Sequence, residues 1–217
     1  MYEDFQDAHV AEALDLDARR PAFLAMSARP TTTAAALIQL IDGTVRIYKD
    51  WIENRTPLEC FKNILDDATL VAARKVEIIV PMEQFEKYTG HGIPGAARLA
   101  RAEVKPGAMA VTCEGNLKDY LSKTVRGEQA LLIDMEARWV INGFAGGYGR
   151  KLNAQGVISE KADDNQYRIV MEAIEAFIGW FGTMQDTRDN DPNRRYDTTK
   201  DGRQFLTTLP SRRPHGR

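Results

Sequence analysis

The side chains that most often bind metals or act as nucleophiles are few and widely spaced in this sequence. They are His9, His91, His215, Cys60 and Cys113. No two of them stand at the spacing of a zinc site, and two cysteines in a chain of 217 residues make no disulfide framework. We therefore expect buried, reduced thiols and no histidine-based metal site. The chemistry that remains is that of carboxylates.

The sequence also lacks a nucleotide-binding loop. Ser122 and Leu117 stand where a P-loop ending in Lys123-Thr124 would need its two glycines. The Gly146–Gly149 run is not placed between a strand and a helix, as a dinucleotide-binding fingerprint requires. The chain itself therefore carries no ATPase motif.

The composition is that of an ordinary globular chain. Lysine and arginine total 29, aspartate and glutamate total 31, and hydrophobic residues make up 43% of the sequence. A chain of this length is expected to form one core. Because the charge is nearly balanced, any DNA binding must come from a local patch. No run of about 18 apolar residues and no leader-like start is present, which predicts a cytoplasmic protein without membrane association.

The first part of the chain predicts three neighbouring strands. Ala22–Met26 and Ala35–Ile41 are extended apolar stretches separated by a break at Pro30–Thr33. Asp42-Gly43 supplies two residues that tolerate positive φ, which is typical of a tight hairpin turn. Thr44–Trp51 then alternates with the period of a half-buried strand. These segments predict an antiparallel three-stranded meander.

Pro57 opens a predicted helix whose apolar positions recur every three or four residues. They are Leu58, Phe61, Ile64, Leu65, Ala68 and Val71. Val76–Pro81 follows as a short run rich in β-branched residues, which predicts a buried strand parallel to a neighbour. Two further apolar runs, Ala108–Thr112 and Ala130–Asp134, flank a predicted helical segment from Asn116 to Val125.

The last strong element is Tyr167–Phe181, where one apolar stripe predicts an amphipathic helix. From Asp186 onward the sequence is polar and rich in arginine, so it cannot bury enough apolar surface to offset chain entropy. We therefore expect a lead-in segment at residues 1–21, a folded domain at 22–184 and a polar, basic tail at 185–217 that is disordered or loosely docked.

This order of elements is that of ribonuclease-H-like nucleases. We expect an α/β fold with a mixed sheet of roughly five to eight strands, in which the antiparallel meander is joined by parallel strands and flanked by helices. Such folds hold two divalent cations with carboxylates from the first strand, the fourth strand and the last helix. Those three places are where candidate catalytic residues must be sought.

Three stretches resemble the nuclease half of tailed-phage terminase large subunits. The opening Tyr2–Ala11, which leads to Leu24–Ala35, is similar to the family's Y-x-E-F…H-V-A segment and its G-x-D-x-G-x-x-P-T-A-A strand. Leu131–Tyr148 is similar to L-L-I-D-P…L-I-x-G-F-x-G-G-Y, and Asn165–Glu175 is similar to N-x-Y-S-H-x-x-D-A-L-Q. The stretches follow the family's order along the chain.

The resemblance implies three acidic positions, of which this chain keeps one. Ser27 stands at the first-strand aspartate, and the fourth strand ends in Val80–Glu83, so its acid is lost or displaced to Glu83. Glu172 stands where the last-helix aspartate would be. The implied catalytic set is therefore Glu172, Glu83 and Ser27. Glu172 and Glu83 would bind Mg²⁺ or Mn²⁺ if the site is active, and an inactive site would need no cofactor.

Both acids also have a purely structural explanation. Glu172 shares a polar side with Glu175 next to the apolar stripe, so a solvent-exposed helix face explains it equally well. Glu83 falls in the first turn of a predicted short helix, where the helix dipole favours acids.

A DNA-facing loop is the second candidate site. It comprises Gly146 and Gly147 together with the basic residues Arg138, Arg150 and Lys151. The glycines alternatively serve as turn residues that need positive φ, and the basic residues as scattered surface charge.

The resemblance implies a terminase-like protein of phage or prophage DNA packaging that acts on double-stranded DNA in the host cytoplasm. Its partners would be a terminase ATPase in trans, a portal and a small terminase subunit. The eroded acids favour a nuclease-like domain that has lost or weakened metal-dependent cleavage and serves as a DNA- or portal-docking module. The alternatives are an active endonuclease that uses the reduced carboxylate set, and a ribonuclease-H-like protein unrelated to packaging.

Overall fold

The structure is a computed structural model. It describes residues 2–55, 59–60, 63–64, 67–73, 76–84, 103–108, 114–152, 158–162, 165–189, 197–198 and 204–205. Met1–Phe181 and Gly182–Arg217 form two compact units. In the second unit, Asp197–Thr198 pairs antiparallel with Gln204–Phe205.

A seven-stranded mixed sheet forms the centre of the first unit. Its strands in chain order are β1 (Val10–Ala11), β2 (Ala22–Ala28), β3 (Thr33–Ile41), β4 (Thr44–Glu53), β5 (Val76–Val80), β6 (Glu103–Pro106) and β9 (Leu131–Asp134). The spatial order is β1-β9-β4-β3-β2-β5-β6. Within this sheet β3 is antiparallel to both of its neighbours, whereas the pairs β2–β5, β5–β6, β4–β9 and β1–β9 are parallel. The predicted mixed sheet with an antiparallel meander is confirmed.

Two short hairpins accompany this sheet in the first unit. One joins β7 (Thr124–Val125) to β8 (Glu128–Gln129), and the other joins β10 (Arg150–Leu152) to β11 (Ile158–Ala162).

The β3–β4 hairpin has the turn that its sequence predicts. Asp42 and Gly43 adopt φ values of 52° and 90°. Two consecutive positive φ angles match the right-handed twist of the flanking strands, and aspartate and glycine tolerate them best. The turn therefore fixes the register of the meander, in which Ile41 faces Thr44 and Ser27 faces Ala34.

The described helices are α1 (Ala68–Val71), α2 (Glu114–Ser122), α3 (Arg138–Asn142) and α4 (Gln166–Asp189). Gly143–Gly147 continues α3 as a π-helical turn. The final helix predicted over Tyr167–Phe181 is confirmed and is longer at both ends. Its apolar stripe packs on the sheet, and Phe23 of β2 lies 5.4 Å from Phe177 and 5.5 Å from Trp180 between ring centroids.

The prediction of one helix from Pro57 to Val71 is wrong at its carboxyl end. Residues 59–60 and 63–64 are helical, but Asp67 is extended, with ψ 129°, and its carboxylate accepts the Thr69 N–H at 2.9 Å. An aspartate in this position caps the start of a new helix. Val71, one of the predicted apolar positions of that helix, is 68% exposed. The predicted residues Pro57, Leu58, Phe61 and Leu65 lie outside the described part.

Two further sequence expectations differ from the structure. The helix predicted from Asn116 to Val125 ends at Ser122, because Thr124–Val125 turns back on Glu128–Gln129 through residues with φ values of 55° and 87°. Strand β6 was not predicted, since its sequence is short and polar. Most of the predicted strand Ala108–Thr112 lies outside the described residues.

The two faces of the sheet bury separate clusters. Phe23, Ala25 and the apolar residues of α4 share one cluster, whereas Leu24 and Met26 belong to the other. Because side chains alternate along a strand, Ser27 lies on the face that is covered by α4.

Cys60 belongs to the second cluster and is fully buried. Burial raises the pKa of its thiol to about 12, which makes it an inert core residue. Cys113 lies outside the described residues. Among the described helices, none is long and apolar enough to cross a membrane.

Candidate active site at the carboxyl edge of the sheet

The structure brings together the elements that the sequence predicts to carry the site. Strands β2 and β5 are parallel neighbours, so their carboxyl ends lie at the same edge of the sheet. Ser27 is near the end of β2, and a helical turn at residues 82–84 follows β5. Helix α4, which carries Glu172, packs across the face of the sheet on which Ser27 lies.

Backbone hydrogen bonds tie these elements to each other beside the candidate site. The Gly107 N–H, just after β6, donates to the Val80 carbonyl at 2.6 Å, and the Ala108 N–H donates to the Ala176 carbonyl of α4 at 3.1 Å. A Cβ on Gly107 would lie 2.9 Å from the Val80 carbonyl oxygen and 3.0 Å from that of Ala176. Only a glycine allows this close approach of strand end and helix.

Ser27 is held by a neutral partner. The Nε2 of Gln84 donates to Ser27 Oγ at 2.9 Å, and Gln84 Oε1 accepts the backbone N–H of Ala28 at 2.7 Å. Ser27 is fully buried and Gln84 is 5% exposed. The glutamine amide therefore satisfies both polar groups at the end of β2 without adding charge.

Glu83, the predicted second acid, is exposed at the surface. Its neighbour Gln84 is the residue of this turn that contacts Ser27. The position after β5 that faces the end of β2 is thus occupied by an amide.

Glu172 is buried and bound by two arginines. Arg29 Nη2 donates to both carboxylate oxygens, at 2.9 Å to Oε1 and 2.8 Å to Oε2. Arg168, one turn earlier on α4, donates from Nε to Oε1 at 2.8 Å. The alternative that Glu172 sits on a solvent-exposed helix face is therefore wrong, because its side chain is only 12% exposed.

These residues do not fit a pair of divalent cations. Two such ions need several anionic oxygens to offset their mutual repulsion. At this edge Ser27 and Gln84 are neutral, and the Glu172 carboxylate faces two guanidinium groups. Within the described part of the chain, no group of three or more His, Cys, Asp or Glu residues could hold a metal ion.

The predicted DNA-facing loop is a packed turn against α4. Gly147 has its carbonyl bound by Asn165 Nδ2 at 2.7 Å, and a Cβ on Gly147 would lie 2.7 Å from the Tyr167 ring. Gly146 is exposed and has a φ of 119°, so its conformation favours glycine whatever the surroundings. Arg138 is exposed at the first residue of α3.

The other two residues of this predicted surface lie in β10. The backbone of Arg150 pairs with Ala162 of β11. The side chains of Arg150 and Lys151 lie outside the described part of the structure, so their role in DNA binding stays a prediction.

Sequence reasoning missed Arg29, Gln84 and Arg168. Arg168 had a usable signal, because residues four apart on a helix are neighbours and this spacing pairs it with Glu172. Arg29 and Gln84 had no such signal, since their partners are 143 and 57 residues away.

Solved structures of phage large terminases are similar to this chain, although no family model and no curated protein matches its sequence. The P22 large terminase nuclease domain has a TM-score of 0.57 at 10% identity, with 86% of this chain and 91% of that chain covered. The large terminase of a thermophilic bacteriophage has a TM-score of 0.59 at 13% identity. That match covers 82% of this chain and 44% of the other, so the chain spans less than half of that protein.

A third match is the large terminase nuclease domain of bacteriophage SPP1, solved with bound Mn. It has a TM-score of 0.50 at 14% identity, with 84% of this chain and 98% of that chain covered. At these identities the likeness concerns the fold. The chain has the ribonuclease-H-like fold of the nuclease domains of phage large terminases.

Proposed function

We propose that this chain is a terminase-like protein of phage or prophage DNA packaging whose nuclease-type domain has lost metal-dependent cleavage. It acts as a docking module for double-stranded DNA or for a portal. Because these residues contain no ATPase motif and span less than half of the large terminase of the thermophilic bacteriophage, packaging would also require an ATPase outside these residues and a small terminase subunit.

The observation that carries this proposal is the state of Glu172. A carboxylate that accepts three hydrogen bonds from two guanidinium groups has its charge compensated by side chains. Ser27 and Gln84, which satisfy each other at 2.9 Å at the end of β2, are both neutral and supply no anionic oxygen. Cleavage through two metals would require that set to be rebuilt.

The folded domain itself is maintained. Its sheet has seven strands, and the match to the P22 nuclease domain covers 91% of that domain. Retention of a nuclease-type fold around a site whose described residues form no metal-ligand set supports a binding role.

The test is a plasmid-cleavage assay with Mg²⁺ and with Mn²⁺, on the wild type and on Glu172→Ala at equal concentration. We expect no cutting by either protein and no metal uptake by calorimetry. The SPP1 nuclease domain, which was solved with bound Mn, is a suitable positive control. Binding to linear DNA, followed by fluorescence anisotropy at several salt concentrations, then measures the docking role.

Each outcome separates the alternatives. Metal-dependent cutting that is lost in Glu172→Ala and reduced in Glu83→Ala would establish an active endonuclease with a reduced carboxylate set. A folded protein that neither cuts nor binds DNA nor binds a portal would point to a ribonuclease-H-like protein outside packaging.

A further inference from the structure

The three charged side chains on which the proposed function depends form one cluster, whose role extends beyond the loss of cleavage. We call Arg29, Glu172 and Arg168 the arginine clamp. Arg29 follows β2 directly, and the other two residues lie on α4. Their side chains are 35%, 12% and 25% exposed, so the Glu172 carboxylate is buried beneath two partly exposed arginines.

We propose that the arginine clamp replaces divalent cations as the positive charge that holds Glu172 at this edge, which makes Glu172 a structural residue and the stability of the domain independent of metal. This inference rests on the proposed loss of cleavage. It adds that the site has been rebuilt around a guanidinium and has not merely lost ligands.

The geometry of Arg29 supports this role. Its Nη2 is within 2.9 Å of both Glu172 oxygens, so one guanidinium bridges both oxygens of the carboxylate. Arginine stays protonated at all ordinary pH values and is more weakly hydrated than an ammonium, which suits it to a partly buried pair. The contact links residues 143 positions apart and joins the end of β2 to α4. A shared cation between strand and helix would make the same connection.

The arginines of the clamp also oppose binding of a cation at Glu172. Arg29 and Arg168 occupy the oxygens of this carboxylate with guanidinium donors. The neighbouring pair of Ser27 and Gln84 is neutral and offers no anionic ligand. A divalent cation that approached Glu172 would therefore have to displace Arg29 first.

The first measurement is the melting temperature of the wild type in EDTA, in Mg²⁺ and in Mn²⁺. A site with a Kd of about 1 mM would raise the Tm by roughly 3–5 °C in about 10 mM metal. We expect a shift under about 1 °C. Metal stabilisation of the wild type that disappears in Glu172→Gln would overturn the proposal.

The second measurement tests the clamp without metal. Breaking this partly buried ion pair leaves an uncompensated charge, so Arg29→Ala and Glu172→Gln should each lower the Tm by roughly 4–8 °C. The double variant should lose clearly less than the sum of the two, because each change removes the same interaction. Glu12→Gln, the same chemical change at an exposed site, is the matched control. Additive losses would contradict the clamp.

A third variant rebuilds an anionic site. Ser27→Asp with Gln84→Glu and Arg29→Ala should fold less stably and regain several degrees of Tm in Mn²⁺ but not in EDTA. If this variant does not fold, Gln84→Glu with Arg29→Ala provides the same comparison at lower cost in buried charge. No response to Mn²⁺ from a folded rebuilt variant would refute the claim that the arginine is what excludes the cation.

These outcomes are distinguishable from failure of the proposed function. The clamp is measured by Tm and by coupling between variants, without DNA. A wild type that cuts DNA would refute the loss of cleavage whatever the Tm data say. A wild type that does not cut DNA but is stabilised by Mn²⁺ through Glu172 would refute the clamp alone.

Discussion

Asp50 is a buried carboxylate that caps a helix. Its Oδ2 accepts the backbone N–H of Val140 in α3 at 2.7 Å. Burial raises the pKa of Asp50 from 3.8 to about 6, and the N–H groups of Val140 and Trp139 act in the opposite direction. The N–H groups at the start of α3 thus stabilise the charged form of Asp50, whereas burial destabilises it by removing water.

The pH dependence of stability follows from this raised pKa. Between pH 6 and 3.8 the folded chain binds a proton at Asp50 that the unfolded chain does not, so stability from this group rises as the pH falls. From pH 7 to pH 4 the free energy of unfolding of the wild type should gain about 2 kcal/mol relative to Asp50→Asn. Urea unfolding of both proteins across this range measures the difference.

Asp42→Asn is the matched control for this prediction. The hydrogen bond and charge of Arg20 hold the pKa of Asp42 below its usual range, so titration of this residue affects stability mainly below about pH 4. Asparagine also tolerates the positive φ of this turn position. The free energy of unfolding of Asp42→Asn should therefore change with pH as that of the wild type does. If Asp50→Asn also followed the wild type, Asp50 would have to stay ionised in the folded protein.

At the scale of elements, glycines allow the turn after α3 to pack closely against α4. A Cβ on Gly143 would lie 2.8 Å from the Met171 sulfur, and a Cβ on Gly147 would lie 2.7 Å from the Asn142 carbonyl oxygen. The turn is therefore pressed against α4 close to Glu172. Packing explains why these positions are glycines, whether or not the loop meets DNA.

Gly147→Ala tests this packing. The added methyl group would meet a backbone oxygen and the Tyr167 ring, so it should cost about 1–3 kcal/mol of unfolding free energy. Gly149→Ala is the control, because its nearest atom would be the Gly146 carbonyl oxygen at an ordinary 3.8 Å. It should change stability by less than about 0.5 kcal/mol. Equal effects of the two variants in urea unfolding would contradict a specific role for Gly147.

At the scale of the whole first unit, the amino-terminal segment packs against α4 and adds a strand to the edge of the sheet. The Tyr2 hydroxyl donates to buried Glu175 of α4 across 173 residues of sequence. The rings of Tyr2 and Phe5 each lie 5.1 Å from Phe144. His9 is buried with its Nε2 2.9 Å from the Leu121 carbonyl, and β1 adds the edge strand beside β9. The opening residues are thus part of the core.

Tyr2→Phe isolates the polar part of this contact. Glu175 also accepts a hydrogen bond from the Tyr148 hydroxyl at 3.3 Å. Tyr2→Phe therefore removes one hydrogen bond of this buried carboxylate and leaves another. We expect a loss of about 1–2 kcal/mol in unfolding free energy. Tyr120→Phe is the control, since among the described residues the Tyr120 hydroxyl makes no hydrogen bond while its ring packs near Phe181. A loss in Tyr120→Phe as large as that in Tyr2→Phe would show that the Glu175 contact is not the cause.

Local sequence patterns correctly predicted those elements in which no other local interaction favours a different structure. The Asp42-Gly43 turn, the meander and α4 follow from hairpin chemistry and from long apolar periodicity. The break at Asp67 was missed because its capping bond competes with helix continuation, and apolar spacing does not register that competition. Strand β6 was missed because its short, polar sequence gains its pairing from β5.

For the site, the sequence predicted that Ser27 replaces the first-strand acid and that the fourth-strand acid is lost or displaced to Glu83, because residue type at a matched motif is a local fact. It could not determine which side chains took over. Gln84 faces Ser27 while Glu83 is exposed, and Arg29 binds Glu172, only because the parallel β2 and β5 end at one edge beneath α4. Such contacts join residues far apart in the chain, and chain topology and packing decide which of them form.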